Sequence, residues 1–120
     1  MRDALRALVQ FRLRVRRGPH VAIGPGKIAL LEAIALTGSI TAAAKRLDMS
    51  YRRAWLLVDE MNACMRRPVV ATATGGKRGG GSWLTPTGEA AIALYRAIER
   101  RAEAAATEEL EQLVRLLAQD

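Results

Sequence analysis

The sequence predicts a mainly α-helical chain with small β hairpins, and three observations support that class. Half of the 120 residues are hydrophobic but only 4% are aromatic, and the apolar positions are dominated by alanine and leucine, a composition that favours packed helices over a β sandwich. Apolar residues recur at intervals of three and four within residues 27–36 and again after residue 50, the period of a helix face. Two β-prone regions are interrupted by glycine-containing turns, as hairpins are. At 13.1 kDa the chain has room for one core and an extension but is short for two cores. We expect a head over residues 1–86 and a C-terminal helical region over residues 87–120.

Near the N-terminus, Phe11, Leu13 and Val15 alternate with Arg12, Arg14 and Arg16, which reads as a half-buried strand. Gly18-Pro19 then turns the chain before Val21 and Ile23, completing a small hairpin whose arginine face reads first as a solvated one. After Gly24-Pro25-Gly26, residues 27–36 place Ile28, Leu31 and Ala35 on one side of a first helix, closed by Thr37-Gly38. Ser39 is suited to cap a short second helix through Leu47, whose Ala42, Ala43 and Ala44 let another helix approach. Asp48-Met49-Ser50 makes a three-residue turn. Ser50 caps a third helix to about Arg66, with Ala54, Leu57, Val58, Met61 and Met65 facing inward and Pro68 beyond its end. Residues 69–74 and 82–85 read as strands around the basic glycine loop Gly75-Gly76-Lys77-Arg78-Gly79-Gly80-Gly81. Thr85-Pro86 starts a helix well, and helix is expected almost to Asp120, with a break at Thr107 where a new cap precedes Glu108, Glu109 and Glu111.

This order of helix, short helix, turn, longer helix, strand, basic glycine loop and strand is that of a winged helix-turn-helix, in which the third helix presents its first turn to the DNA major groove. That turn is Ser50-Tyr51-Arg52-Arg53. An arginine can donate two hydrogen bonds to a guanine edge or clamp a phosphate, and hydroxyls can bond phosphate oxygens at the positive helix end. Lys77 and Arg78 supply charge on a loop whose glycines permit close approach to a duplex, although a flexible connector has the same composition. Ser39, Thr41, Ser50, Tyr51, Arg52, Arg53, Lys77 and Arg78 form the candidate DNA-contacting set. Trp55 reads as packing rather than base contact.

Charge agrees with that reading. The net charge is +7, but residues 1–85 hold 15 Lys/Arg against 5 Asp/Glu whereas residues 86–120 hold 4 against 7. The head therefore suits a polyanion and the C-terminal region does not.

The same residues resemble a known family, the ModE molybdate-responsive transcriptional regulators, in their N-terminal DNA-binding domain. The resemblance is carried by Leu30-Leu31, Ile34-Ala35-Leu36-Thr37-Gly38-Ser39-Ile40, Ala43-Ala44-Lys45, Met49-Ser50-Tyr51, Ala54-Trp55 and Asp59-Glu60-Met61-Asn62. It continues through Ala73-Thr74-Gly75-Gly76-Lys77-Arg78-Gly79-Gly80-Gly81, Leu84-Thr85 and Gly88, spanning about residues 24–100. The second helix is also similar to that of LysR-type regulators. The resemblance implies a homodimeric repressor or activator on a palindromic operator, with recognition by residues 50–55, a wing near Lys77 and dimer contacts from the terminal helices. Family members continue into C-terminal molybdate-binding domains, whereas this sequence ends at Asp120, so a molybdate or other oxyanion effector is not expected of it.

The expected fold is thus a winged helix-turn-helix with a long C-terminal dimerisation helix or helices. Tyr95, Ile98 and Ala102, continued by Leu110, Leu113 and Leu117, supply the apolar dimer face, unless that face packs on its own head. No catalytic set is expected: one His, one Cys and no telling carboxylate pair do not make an active site. The glycine loop departs from a nucleotide-binding loop, since Arg78 stands where a magnesium-ligating hydroxyl belongs. No cofactor and no metal are expected, because His20 and Cys64 cannot close a tetrahedral site within one chain. A single cysteine, no signal-peptide pattern and short apolar runs point to the cytoplasm and away from the membrane. The rival from another class is a winged-helix protein-interaction module, against which the retained Lys77, Arg78, Arg52 and Arg53 speak.

Overall fold

The computed structural model of the chain describes residues 7–73 and 81–119. Strands β1 (Val15–Arg17) and β2 (His20–Ile23) lead into helices α1 (Pro25–Thr37), α2 (Ile40–Arg46) and α3 (Tyr51–Cys64). Strands β3 (Val70–Ala73) and β4 (Gly81–Leu84) follow, then α4 (Pro86–Ala105) and α5 (Thr107–Arg115). Each strand pair forms its own antiparallel two-stranded sheet. This is the winged helix-turn-helix architecture with small hairpins that the sequence predicts.

The first hairpin is shorter than the alternation of residues 11–16 suggests. Gly18 turns the chain with φ of +59°, a conformation glycine adopts without cost. Arg17 then pairs with His20 and Arg16 with Val21, but the register slips between Arg16 and Val15. All three β1 residues are exposed, and Phe11 lies outside the strand and exposed. The reason lies at Leu13, whose side chain joins the core and whose carbonyl accepts the Tyr95 hydroxyl at 2.8 Å instead of entering a ladder. Burial, with Glu99 next in weight, pushes the Tyr95 phenol above its usual range, so the hydroxyl stays a donor.

Helix α1 is the centre of the fold. Pro25 opens it and Gly38, at φ of +70°, ends it. The sequence assigns one inward face through Ile28, Leu31 and Ala35, but Ala35 is exposed, while Leu30, Ala33 and Ile34 are buried beside Ile28 and Leu31. A helix covered on several sides has no single stripe to read; α1 packs against α2, α3, α4 and β4. Ile28, Leu30, Leu31 and Ile34 of α1, with Val58 and Met61 of α3 and Val69, are the large, fully buried side chains.

Helix α3 stops at Cys64, two residues short of the expected end, and Met65 turns into extended backbone. Strands β3 and β4 pair from Val70 with Leu84 to Ala73 with Gly81. The tip between them, with Lys77 and Arg78, lies outside the described residues. Thr85 caps α4 by accepting the Gly88 amide at 3.1 Å, with Pro86 in the first turn. The helix breaks where the sequence suggests, between Ala105 and Thr107, by another mechanism: Thr107 donates its hydroxyl back to the Glu103 carbonyl at 2.8 Å, and Ala106 occupies the cap position.

The chain measures 57 × 31 × 23 Å with a radius of gyration of 17.2 Å, above the roughly 14 Å of a compact domain this size. Among the described residues no helix is long and apolar enough to cross a membrane.

Candidate nucleic-acid interface

Two caps and one turn aim the first turn of α3 outward. Ser39 starts α2 by accepting the Ala42 amide at 3.1 Å. Asp48 then takes a φ of +54°, which short polar residues tolerate, and the Met49 amide returns to the Ala44 carbonyl at 3.0 Å. Ser50 accepts the Arg53 amide at 3.1 Å, leaving the Tyr51 and Arg52 amides without an intrahelical acceptor at the positive end of a 14-residue helix. Tyr51, Arg52 and Arg53 are all exposed, and among the described residues neither arginine has a carboxylate partner. Thr41 is exposed and Ser39 half-buried. The structure thus brings Ser50, Tyr51, Arg52 and Arg53 into one turn, while Ser39 and Ser50 both have their hydroxyl oxygens engaged in capping.

The opposite face of α3 anchors it. Ala54, Val58 and Met61 are buried, Trp55 is half-buried against the core, and Tyr51 stands edge-on to Trp55 with ring centroids 6.1 Å apart. The Trp55 indole nitrogen is buried with no hydrogen-bond partner among the described residues.

Polar clamps on α3 escaped the sequence reading. Lys27, nearly buried at the start of α1, donates to the Val21 carbonyl of β2 and to the Glu60 carboxylate at 3.2 Å. Glu60 therefore neutralises a buried cation. Asn62 accepts the Val69 amide at 2.8 Å and the Val70 amide at 3.3 Å, and donates to the Val70 carbonyl at 3.2 Å. One side chain thereby satisfies three main-chain groups where α3 passes into the second hairpin. Asn62→Ala should cost about 1–3 kcal/mol by leaving those groups unpaired, measured as a lower urea midpoint with unchanged slope. A midpoint equal to wild type would show the clamp to be dispensable.

The base of the second hairpin is fixed as well. The Ser82 amide donates to the Gly38 carbonyl at 3.0 Å, tying β4 to the turn between α1 and α2. The Thr85 amide donates to the Val69 carbonyl at 3.0 Å and the Thr85 hydroxyl to the Pro68 carbonyl at 2.6 Å. Gly88 lies so close that a Cβ there would fall 2.2 Å from the Val69 oxygen. Asn62, Thr85 and Gly88 carry part of the family resemblance, and their geometry gives the physical reason for each.

Arg96 joins α4 to α1: its guanidinium donates to both Glu32 oxygens, at 3.0 and 2.5 Å, and to Glu99 at 2.7 Å. Those bonds, to Glu32 first and Glu99 second, push its pKa further up. Of the apolar set expected on the C-terminal region, Tyr95 is buried in the chain's own core. Ile98, Leu113 and Leu117 are exposed, as are Leu94 and Leu116, and Ala102 and Leu110 are half-buried. Lys45 and Arg46 on α2, and Arg66 and Arg67 before β3, are further exposed basic residues that the sequence reading did not select. Among the described residues no group of three or more His, Cys, Asp or Glu could hold a metal ion.

No protein-family model matches the chain. It is 53% identical over 77 residues to the molybdenum-pterin-binding protein MopB of Rhodobacter capsulatus, covering 64% of this chain and 28% of that protein. It is 48% identical over 71 residues to the DNA-binding transcriptional dual regulator ModE of Escherichia coli, covering 59% of this chain and 27% of that one. The chain thus spans less than a third of the length of these relatives. Among solved structures it superposes on a MarR family transcription regulator with a TM-score of 0.57 at 26% identity, over 72% of this chain and 58% of that one. It superposes on the CbnR_DBD–DNA complex with a TM-score of 0.55 at 23% identity, over 73% of this chain and 95% of that one. The chain is a winged helix-turn-helix protein and, over about two thirds of its length, a homologue of the proteins named ModE and MopB.

Proposed function

We propose that this chain is a sequence-specific double-stranded DNA-binding transcriptional regulator, not an enzyme, and that α3 enters the major groove with its N-terminal turn leading. The observation that carries this reading is the pair of exposed arginines, Arg52 and Arg53, with no carboxylate partner among the described residues, on the first turn of a helix bonded to its surroundings by the Lys27 and Asn62 clamps. Unpaired guanidiniums at a positive helix end match guanine edges and phosphate oxygens. Tyr51 and Thr41 add exposed hydroxyls for the backbone, and Ser39 and Ser50 act mainly by fixing the two helix starts. Lys77 and Arg78, in the basic glycine segment of the sequence between β3 and β4, supply the wing contact to phosphate.

The regulator acts as a homodimer. Leu94 and Ile98 on α4, Leu113 on α5, and Leu116 and Leu117 directly after it are exposed apolar side chains, the kind that a second copy buries. Half-buried Ala102 and Leu110 add to that set, and Tyr95, buried in the core and bonded to Leu13, fixes α4 on the head. Two-fold symmetry then places two α3 helices in successive major grooves about 34–36 Å apart and requires a palindromic operator. The reading places the protein in the cytoplasm and assigns it no effector.

Selection of bound duplexes from random DNA tests this reading. A two-fold symmetric consensus is expected, and its preference at one base pair per half-site should relax in Arg52→Ala or Arg53→Ala. A pool that shows no enrichment over input would reject it. Repeating the selection with molybdate should return the same consensus.

A further inference from the structure

The first hairpin carries a charge that the fold does not use. Arg14, Arg16 and Arg17 are exposed, and among the described residues none of them has a carboxylate partner. Among the described residues strand β1 pairs with β2 alone, and no further strand bonds its outer edge. Three unpaired guanidiniums within four residues make a strongly cationic ribbon.

The clamps on α3 show where this ribbon sits. Glu60 receives Lys27, which also bonds Val21 of β2, and β2 packs on α3. Asn62 bonds Val69 and Val70 at the foot of the second hairpin. Positions two apart on an α-helix are separated by about 200° around its axis and only about 3 Å along it. The two hairpins are therefore attached to opposite sides of α3 at the same height. We infer that β1–β2 is a second wing: Arg16 and Arg17 of β1, with Arg14 just before the strand, grip the duplex backbone on the flank of α3 opposite the β3–β4 wing.

The partner is the phosphate backbone of double-stranded DNA rather than a base edge. A ribbon beside the helix meets the strand that borders the groove, and arginine suits phosphate oxygens in pairs. Such contacts add affinity and set the position of the protein without adding sequence preference. The inference rests on the DNA-binding reading of α3 and extends the contacted duplex beyond the base pairs that α3 reads.

The test is the full chain with Arg14→Gln, Arg16→Gln and Arg17→Gln together, on the selected duplex with long flanks and on the same duplex trimmed to the bases in the consensus. A melting curve equal to wild type establishes that the exposed replacements leave the fold intact. On the long duplex the variant should lose about 5 from the magnitude of the log–log salt slope, because three arginines on each of two protomers remove six phosphate contacts at about 0.9 each. Its affinity there should fall at least tenfold near 0.15 M salt, while on the trimmed duplex it should match wild type, and the ratio of selected to random affinity should stay the same. Equal slope and affinity of the two proteins on both duplexes, or an equal loss on both, would overturn the second wing and leave the α3 reading standing. A wild-type protein that binds neither duplex would overturn the α3 reading and the second wing with it.

Discussion

Replacing Arg52 and Arg53 together by alanine is expected to weaken binding to the selected duplex by about 100-fold or more while leaving the melting temperature unchanged. Each guanidinium that meets a base edge contributes about 1–3 kcal/mol of discrimination. Both side chains project from α3 into solvent with no carboxylate partner among the described residues, so their loss removes nothing from the core. The two arginines are adjacent and their effects need not add. Affinity for random duplex should fall much less, because the remaining cations still neutralise phosphates. Equal losses on selected and random DNA would assign both residues to the backbone instead of the bases.

Gly88→Ala should be the most damaging single substitution to stability, at about 3 kcal/mol, the upper end for overpacking a rigid site. The new methyl would meet the Val69 oxygen at 2.2 Å and the Val69 carbonyl carbon at 3.1 Å. Neither is the end of a flexible side chain. That oxygen accepts the Thr85 amide, and the Val69 amide is held by Asn62, so relief requires moving the junction of α3, the second hairpin and α4 together. A lower denaturant midpoint is expected, and with it weaker DNA binding, because the wing leaves this junction. A variant as stable as wild type would mean that the start of α4 can slide away from Val69 freely.

The elements were legible in the sequence wherever local chemistry sets them. Ser39, Ser50 and Thr85 cap the helices they were expected to cap, and Gly38 ends α1 as a left-handed residue. The exposed turn at Tyr51, Arg52 and Arg53 follows from its place directly after a cap. What sequence reasoning missed depends on contacts distant along the chain. The all-round burial of α1 makes Ala35 look inward when it is exposed. Phe11 and Val15 share a period of two with Leu13, yet only Leu13 packs against the core, because Tyr95, 82 residues away, fixes its carbonyl. The Lys27–Glu60 and Arg96–Glu32 pairs join residues 33 and 64 apart, a separation at which no pattern in the sequence marks partners. Lys27 in particular reads as a solvated lysine until the hairpin and α3 close over it. Thr107 marks the helix break correctly but acts by bonding back to Glu103, a choice between two hydroxyl geometries that residue identity alone leaves open.

The account stands on α3 and its two flanking ribbons meeting duplex phosphates at the same time, and the affinity for the selected duplex measured from about 0.05 to 0.3 M salt tests that most directly. The plot of log affinity against log salt should be linear with a slope steeper than about −5, as six or more neutralised phosphates require. A flat plot, or no binding at the lowest salt, would contradict it.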